Sequence, residues 1–424
     1  MRSPSAQPLA RELERALPER PFAVEFWDGT RVPGTGAGPT FSVRSPRAVA
    51  RVARSRGQLG LGRAYVAGEL EVDDVDAVVK LLGRWEAPPL RPATRTRLAL
   101  AVARAGGLHR PPPPPAAELR PRGRLHSRER DALSVRHHYD VSNEFFALFL
   151  DASMTYSCGV FKLGASTLEE AQEAKLEMVC RKLDLREGRR VLDVGCGWGS
   201  FALHAAERHG VSVLGITLSE PQARLARERV RDAELEDRVE IQVRDYRDLR
   251  GERFDAISSI GMVEHVGEER IEEYARALYD VLEPGGRLLN HGITRLTHYD
   301  HSEGDFTLRF IFPDGKLLHL GRVVDALERA GFEPEHVEGL REDYAETLRH
   351  WARRLDERRE EAVRLAGRER VRVWRLYLRA ARNGFEIGYS SVFQVLCTRP
   401  LPERPNTSSP RTSGGVASVA HEEL

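Results

Sequence analysis

The stretch Val191-Leu192-Asp193-Val194-Gly195-Cys196-Gly197-Trp198-Gly199 decides the fold. An apolar run enters three glycines at alternate positions, and a helical pattern, Phe201–Glu207, follows at once. Glycine there lets the chain turn tightly and lets backbone approach a ligand at the carboxyl end of a strand. The spacing is GxGxG, not the GxGxxG of dinucleotide-binding turns. A strand–helix turn can use glycine for geometry alone, so the surroundings must carry the reading. Outward from the loop come further short apolar runs at 211–216, 239–242, 255–259 and 287–292, with helical patterns between them. Strands alternating with helices predict an α/β fold built on a doubly wound, mostly parallel sheet.

Upstream, residues 21–87 read as a small N-terminal α+β domain. Phe22–Trp27 with Asp28-Gly29 predicts a strand and turn, and 46–56 and 73–82 predict helices. Residues 1–20 mix charge and proline and are expected to be disordered. Residues 88–125 carry the run Pro111–Pro115 and are expected to form a Pro/Arg-rich linker. The catalytic domain is expected over 126–400, ending in an arginine-studded helical stretch at 341–382, and a disordered tail over 401–424.

Composition narrows the partners. The 424 residues are 41% hydrophobic and 30% charged, and the formal net charge is +1, so no global field argues for nucleic acid. Cys158, Cys180, Cys196 and Cys397 form no CxxC pair, so neither a zinc site nor a disulfide framework is expected, and a reducing cytoplasm is the expected home. No run of about 18 apolar residues occurs, so membrane contact is expected to be peripheral. Residues 91–136 hold eleven arginines against Glu118, Glu129 and Asp131. Such an excess commonly marks a solvated face; beside a site mouth it would favour the anionic inner face of a membrane by about 1 kcal/mol per cation.

The turns after the other strands sharpen the picture. Gly215-Ile216-Thr217-Leu218-Ser219 with Gln222 ends the second run, Asp245-Tyr246 follows the third, Gly261-Met262-Val263-Glu264-His265-Val266-Gly267 the fourth, and Pro284-Gly285-Gly286 precedes the fifth. In order and spacing this resembles a class I S-adenosylmethionine-dependent methyltransferase, a Rossmann-like fold. Thr217 stands where that class commonly has an acid for the ribose. One subfamily has threonine as a rule, the cyclopropane-fatty-acyl-phospholipid synthases and mycolic acid cyclopropane synthases. His137–Asn143, Met154–Gly159, His291-Gly292-Ile293, Phe310–Gly315 and Asp343–Leu348 resemble the same family in the same order.

The resemblance implies roles residue by residue. Tyr156, Ser157, Asp193, Gly195, Gly197, Gly199, Thr217, Leu218, Ser219, Gln222, Asp245 and Tyr246 would hold S-adenosyl-L-methionine. Cys158, Glu264, His291, Ile293 through its backbone, and Tyr344 would hold a bicarbonate ion and form the catalytic set. The family often has a cysteine on the late helix; Ala381 stands there in this sequence, so that thiol is not needed for the chemistry. An isolated alkene has no proton to lose before attack, so catalysis rests on placing the sulfonium methyl over the double bond in a dry cavity. A small base must then take a proton from the resulting cation, a task that suits bicarbonate.

The expected reaction is transfer of a methyl or methylene group to the cis double bond of an unsaturated phospholipid acyl chain, giving a cyclopropane fatty acid. The runner-up is a methylene-branched product that a partner reductase would convert to the 10-methyl acid. A small-molecule methyltransferase and a non-catalytic lipid-binding protein remain as further alternatives. A homodimer is compatible with the sequence and not specified by it.

Overall fold

The computed structural model describes residues 5–55, 57–107, 113–119, 130, 142–296, 305–312 and 315–402. Two sheets organise them. The smaller has the order β2(Arg31–Val32), β1(Ala23–Glu25), β3(Thr40–Val43), β4(Leu70–Val72), with helices Pro46–Arg54, Gln58–Val66 and Val75–Arg84 around it. The larger has seven strands in the order β10(Glu333–Gly339), β11(Ser390–Thr398), β9(Leu282–Arg295), β8(Phe254–Ile260), β5(Arg190–Val194), β6(Ser212–Thr217), β7(Val239–Val243). From β9 to β7 every pairing is parallel, while β11 runs antiparallel to both β9 and β10. The architecture is the α/β, doubly wound sheet of class I S-adenosylmethionine-dependent methyltransferases, with a small α+β unit in front of it.

β5 lies at the centre, where both faces must be covered. Leu192 and Val194 enter one core with Ile257 and Leu278, and Val191 enters the other with Phe201 and Ala223. The two cores come from helices laid on opposite sides, so the carboxyl ends of β5, β6 and β8 open on one edge, where the loops gather.

Two expectations fail. The first twenty residues were expected to be disordered, yet Gln7–Ala16 is helical. Leu9, Ala10 and Leu13 recur at helical spacing and pack with Val24, Phe26 and Ala101, so the apolar stripe outweighs the proline and charge content. Residues 88–125 were expected to be a linker, yet Pro92–Val102 is a helix packed on that same core. Pro92 stands at its start, where a missing N–H costs nothing.

Residues 113–119 are likewise seated between the two units. Arg51 Nη1 donates to the Pro113 carbonyl at 2.9 Å, and Arg63 grips Glu118 at 2.8 and 2.6 Å. From the other side, Leu119 N donates to the Arg309 carbonyl and Ala117 N to Glu369. The tail beyond 402 and most of the His137–Asn143 motif lie outside the described residues.

A direct contact also joins the units. Arg372, on the long helix Arg359–Glu386, donates to the Tyr65 and Leu70 carbonyls and to Glu71, and lies 4.2 Å over the Tyr65 ring.

Candidate active site

The glycine loop leaves β5 with Gly195, Gly197 and Gly199 at φ of +76°, +54° and +81°, a region side chains other than glycine avoid. A Cβ at Gly195 would stand 2.7 Å from Met262 Cγ, whereas one at Gly197 would meet only Gln222 Nε2, at 4.0 Å. The loop therefore borders open space at Gly197. Trp198 is fixed by Asn143, whose Oδ1 accepts from the indole Nε1 at 2.8 Å and whose Nδ2 donates to the Pro221 carbonyl.

Around that space is a cavity lined by Tyr156, Ser157, Asp193, Gly195, Gly197, Thr217, Leu218, Gln222, Asp245 and Tyr246, all expected from the sequence to hold the cofactor. Gly199 and Ser219, expected with them, do not line it. Gly199 sits at the start of helix Ser200–His209, where a Cβ would stand 3.3 Å from Ala226 Cβ, so it serves close packing. Ser219 is fully buried and caps helix Glu220–Asp232, its Oγ accepting from Gln222 N. Thr217 Oγ1 donates to Gln222 Oε1 at 3.0 Å and accepts from Ser219 N, so that hydroxyl braces the turn. Asp245 is gripped by Arg247 at 2.8 and 2.6 Å.

Tyr156 and Ser157 reach the cavity from a strained turn. Asp151 accepts from the backbone N–H groups of Ser153 and Thr155, which holds Met154 at φ +57°. A left-handed residue other than glycine costs roughly 1–2 kcal/mol, met here by the Asp151 carboxylate. Gln172 then donates to the Ser157 carbonyl at 2.8 Å.

Asp193 shapes the cavity's electrostatics. Its carboxyl is wholly buried, and burial pushes its pKa up to about 7 against the pull of Lys175 and Ser258. Lys175, on helix Leu168–Lys182, also lines the cavity, and burial draws it down to about 8. Asp193 Oδ2 has no hydrogen-bond partner among the described residues, which leaves an acceptor for a cationic ligand. A sulfonium carrying an ammonium group fits that need; a dinucleotide, which brings phosphates, does not.

None of Cys158, Glu264, His291, Ile293 and Tyr344 lines this cavity. They form a second cluster beside it, joined by a chain of contacts. The Cys158 thiol donates to the Leu340 carbonyl at 3.6 Å, Leu340 N donates to Val392 O, and Val392 pairs with Ile293 across β11 and β9. Ile293 N donates to Glu264 Oε1 at 2.7 Å. His291 is two residues back on the same face of β9, and Tyr344 N donates to Leu340 O one helical turn on. Glu264 Oε2 and His291 Nε2 are both buried and have no hydrogen-bond partner among the described residues.

The charge states follow from burial. Burial raises Glu264 to about 7 and lowers His291 to about 3, so the imidazole is neutral. Lys182 donates to Gln394 Oε1 at 2.6 Å, which turns the Gln394 amide nitrogen toward His291 Nδ1 at 3.2 Å. Nδ1 must then accept, so the proton sits on Nε2, aimed into the cluster. Burial also holds the Cys158 proton, raising its pKa well above the ordinary thiol value.

Tyr377, not singled out in the sequence, links the two groups. Its hydroxyl bonds Tyr156, it feels the charge of Glu264, and burial raises its pKa. It lies one helical turn before Ala381, which packs on the same apolar cluster. His265 lines the cavity, and burial lowers it to about 4.

The chain resembles known proteins in sequence and fold. Residues 126–395 match the family model described as mycolic acid cyclopropane synthetase. The chain is 40% identical to the probable fatty acid methyltransferase Rv3720 of Mycobacterium tuberculosis, over 92% of this chain and 94% of that one. It is 33% identical to the cyclopropane-fatty-acyl-phospholipid synthase of Escherichia coli K12, over 84% and 87% respectively. The crystal structure of the mycolic acid cyclopropane synthase CmaA1 complexed with SAH and CTAB superposes with a TM-score of 0.60 at 34% identity, covering 63% of this chain and 98% of that one. The chain belongs to the mycolic acid cyclopropane synthetase family and is an S-adenosylmethionine-dependent methyltransferase.

Proposed function

We propose that this enzyme methylates the cis double bond of a phospholipid-bound unsaturated acyl chain, and that the product is a cyclopropane fatty acid. The observation that carries the reading is the pair of buried, unpartnered atoms Glu264 Oε2 and His291 Nε2 beside the cofactor cavity. A buried acceptor and a buried donor, on the turn after β8 and on the adjacent β9, suit a small oxyacid anion that gives its OH to Glu264 and accepts from His291 Nε2. Bicarbonate has that form, and when bound it supplies a base small enough to sit against a cation.

The chain's own residues do the rest. The glycine loop and Asp193 receive the cofactor, which supplies an electrophilic methyl group. Glu264, fixed by Ile293 N, orients the anion and takes its proton. Neutral His291 donates through Nε2 without adding a second positive charge beside the developing cation. Phe146, Trp351 and Trp374, packed around Tyr156, and Trp198, packed on Phe146, exclude water that would otherwise capture the cation.

A methylene-branched product, reduced by a partner enzyme, is a second reading. It is favoured by the name of Rv3720, a probable fatty acid methyltransferase that aligns with nearly the whole chain. Mass spectrometry of lipids from a host expressing the protein tests both. Acyl chains heavier by one CH2 are expected. Resistance to mild hydrogenation identifies the cyclopropane, and uptake of hydrogen identifies the methylene branch. Unaltered acyl chains overturn the substrate assignment.

No helix among the described residues is long and apolar enough to cross a membrane. We propose that the bilayer-borne substrate is reached from the anionic inner face of the membrane by electrostatic contact, a reading supported by Arg91 and Arg95, exposed on the N-terminal unit.

A further inference from the structure

Away from the cofactor cavity, helices Leu168–Lys182 and Ser200–His209 pack side by side and bring four donor side chains together. Glu177 and Cys180 lie three residues apart on the first helix, and His204 and His209 face them from the second. One donor atom from each of Cys180, His204 and His209 lies within 4.8 Å of the other two. Glu177 Oε2 is 3.4 Å from His204 Nε2 and 3.1 Å from His209 Nε2. Arg181 holds the other carboxylate oxygen at 2.6 Å, so Oε2 is fixed toward the two rings.

We propose that Glu177, Cys180, His204 and His209 form a binding site for a borderline divalent transition ion of the zinc class. Two imidazoles, a thiolate and a carboxylate are the donors that ion selects, and a hard ion such as magnesium would not choose sulfur. Tetrahedral zinc places such atoms about 2.0–2.3 Å from the metal, hence roughly 3.3–3.8 Å from one another. Cys180, His204 and His209 need only contract from within 4.8 Å of one another, and Glu177 Oε2 already stands 3.4 and 3.1 Å from the two imidazoles. Binding exchanges the Cys180 thiol proton, released to solvent, for the metal–sulfur bond, and the Glu177–imidazole hydrogen bonds for coordination.

The site also has an approach from solvent. Cys180 is fully buried, while His204 lines an open surface cleft together with Glu169, Glu173 and Glu207. Carboxylates along that cleft favour entry of a cation. The ion would clamp the helix that carries Lys175 into the cofactor cavity to the helix that begins where the glycine loop ends, at Ser200. It touches no reacting atom, so the consequence is stiffness of the cofactor cavity's wall.

The test uses the tag-free full chain, stripped with a chelator and titrated with Zn2+ against a chromophoric competitor. One equivalent is expected, together with a raised unfolding temperature. Co2+ in its place is expected to give a thiolate-to-metal charge-transfer absorption. Cys180→Ser should abolish that absorption and weaken zinc binding at least about tenfold. His209→Gln, on a partly exposed side chain, should weaken zinc binding similarly with the fold kept, as read by circular dichroism. Absence of saturable one-equivalent binding overturns the proposal. So does zinc affinity that both variants leave unchanged, since the ion would then sit on other surface groups.

Discussion

Replacing Glu264 with glutamine removes the ionisable carboxyl while keeping an oxygen to accept from Ile293 N, the bond that places this side chain at 2.7 Å. Burial raises the folded-state pKa from 4.5 to about 7. The native protein therefore holds a proton that the unfolded chain has already released. The stability associated with that proton is full below 4.5 and is lost as pH rises through about 7. At 1.36 kcal/mol per unit the whole window amounts to about 3 kcal/mol. Linkage places about 2.5 kcal/mol of it between pH 5 and pH 8. In carbonate-depleted buffer, Glu264→Gln should thus gain about that much stability relative to the parent over the same interval, by denaturant unfolding at the two pH values. Asp193 titrates in the same range, but it is present in both proteins and cancels in the difference. Affinity for S-adenosylmethionine by calorimetry should be unchanged, and turnover should fall at least about 100-fold as the anion's orienting acceptor is weakened. Parallel stability profiles would show that Glu264 is not ionising in a buried site. Full turnover would remove it from the chemistry.

Gly197→Val places a β-branched side chain at φ +54° with its Cβ directed into open cavity, so cofactor binding should be lost while the protein stays folded. Retained affinity in the folded variant would dissociate the loop from the cofactor. Tyr377→Phe removes the hydroxyl that bonds Tyr156. One neutral hydrogen bond is worth about 1 kcal/mol, so cofactor affinity should drop about fivefold with kcat less affected; unchanged affinity would make Tyr377 a packing residue. Binding to anionic vesicles should weaken steeply with salt, since screening acts within about 8 Å at physiological ionic strength. Charge reversal at the exposed Arg91 and Arg95 should reproduce the high-salt result, and equal sedimentation with neutral vesicles would exclude an electrostatic contact.

The five parallel strands from β9 to β7 were legible because each is a short apolar run bounded by turn residues, and each turn of the carboxyl edge carries distinctive glycines or polar groups. The antiparallel pair that completes the sheet was not. β10 reads Glu-Pro-Glu-His-Val-Glu-Gly, an edge strand exposed along most of its length, with no apolar period to detect. The N-terminal helix was hidden for the opposite reason. Its stripe, Leu9, Ala10 and Leu13, is real, but proline and charge dominate the same window, and only the Val24–Ala101 core shows what the stripe is for. In residues 113–119, too, the proline run suggested free chain, whereas two arginine contacts, from Arg51 and Arg63, anchor it.

At the site, sequence identifies residues that meet a ligand more readily than those that set the state of such residues. Lys175 lies in Glu-Ala-Gln-Glu-Ala-Lys-Leu-Glu, a run that by itself describes a solvated helix face, yet packing on the sheet buries it against Asp193. The proton on His291 is decided further away still. Lys182 orients Gln394, Gln394 fills Nδ1, and Nε2 is left to donate. These three residues come from a helix, β11 and β9, more than a hundred positions apart along the chain, and β11 reaches β9 by entering the sheet antiparallel between β9 and the edge strand β10. Without that reversal Gln394 would not face His291, and the imidazole could present either nitrogen to the cluster. The topology of the sheet edge, rather than any local motif, therefore makes His291 a donor.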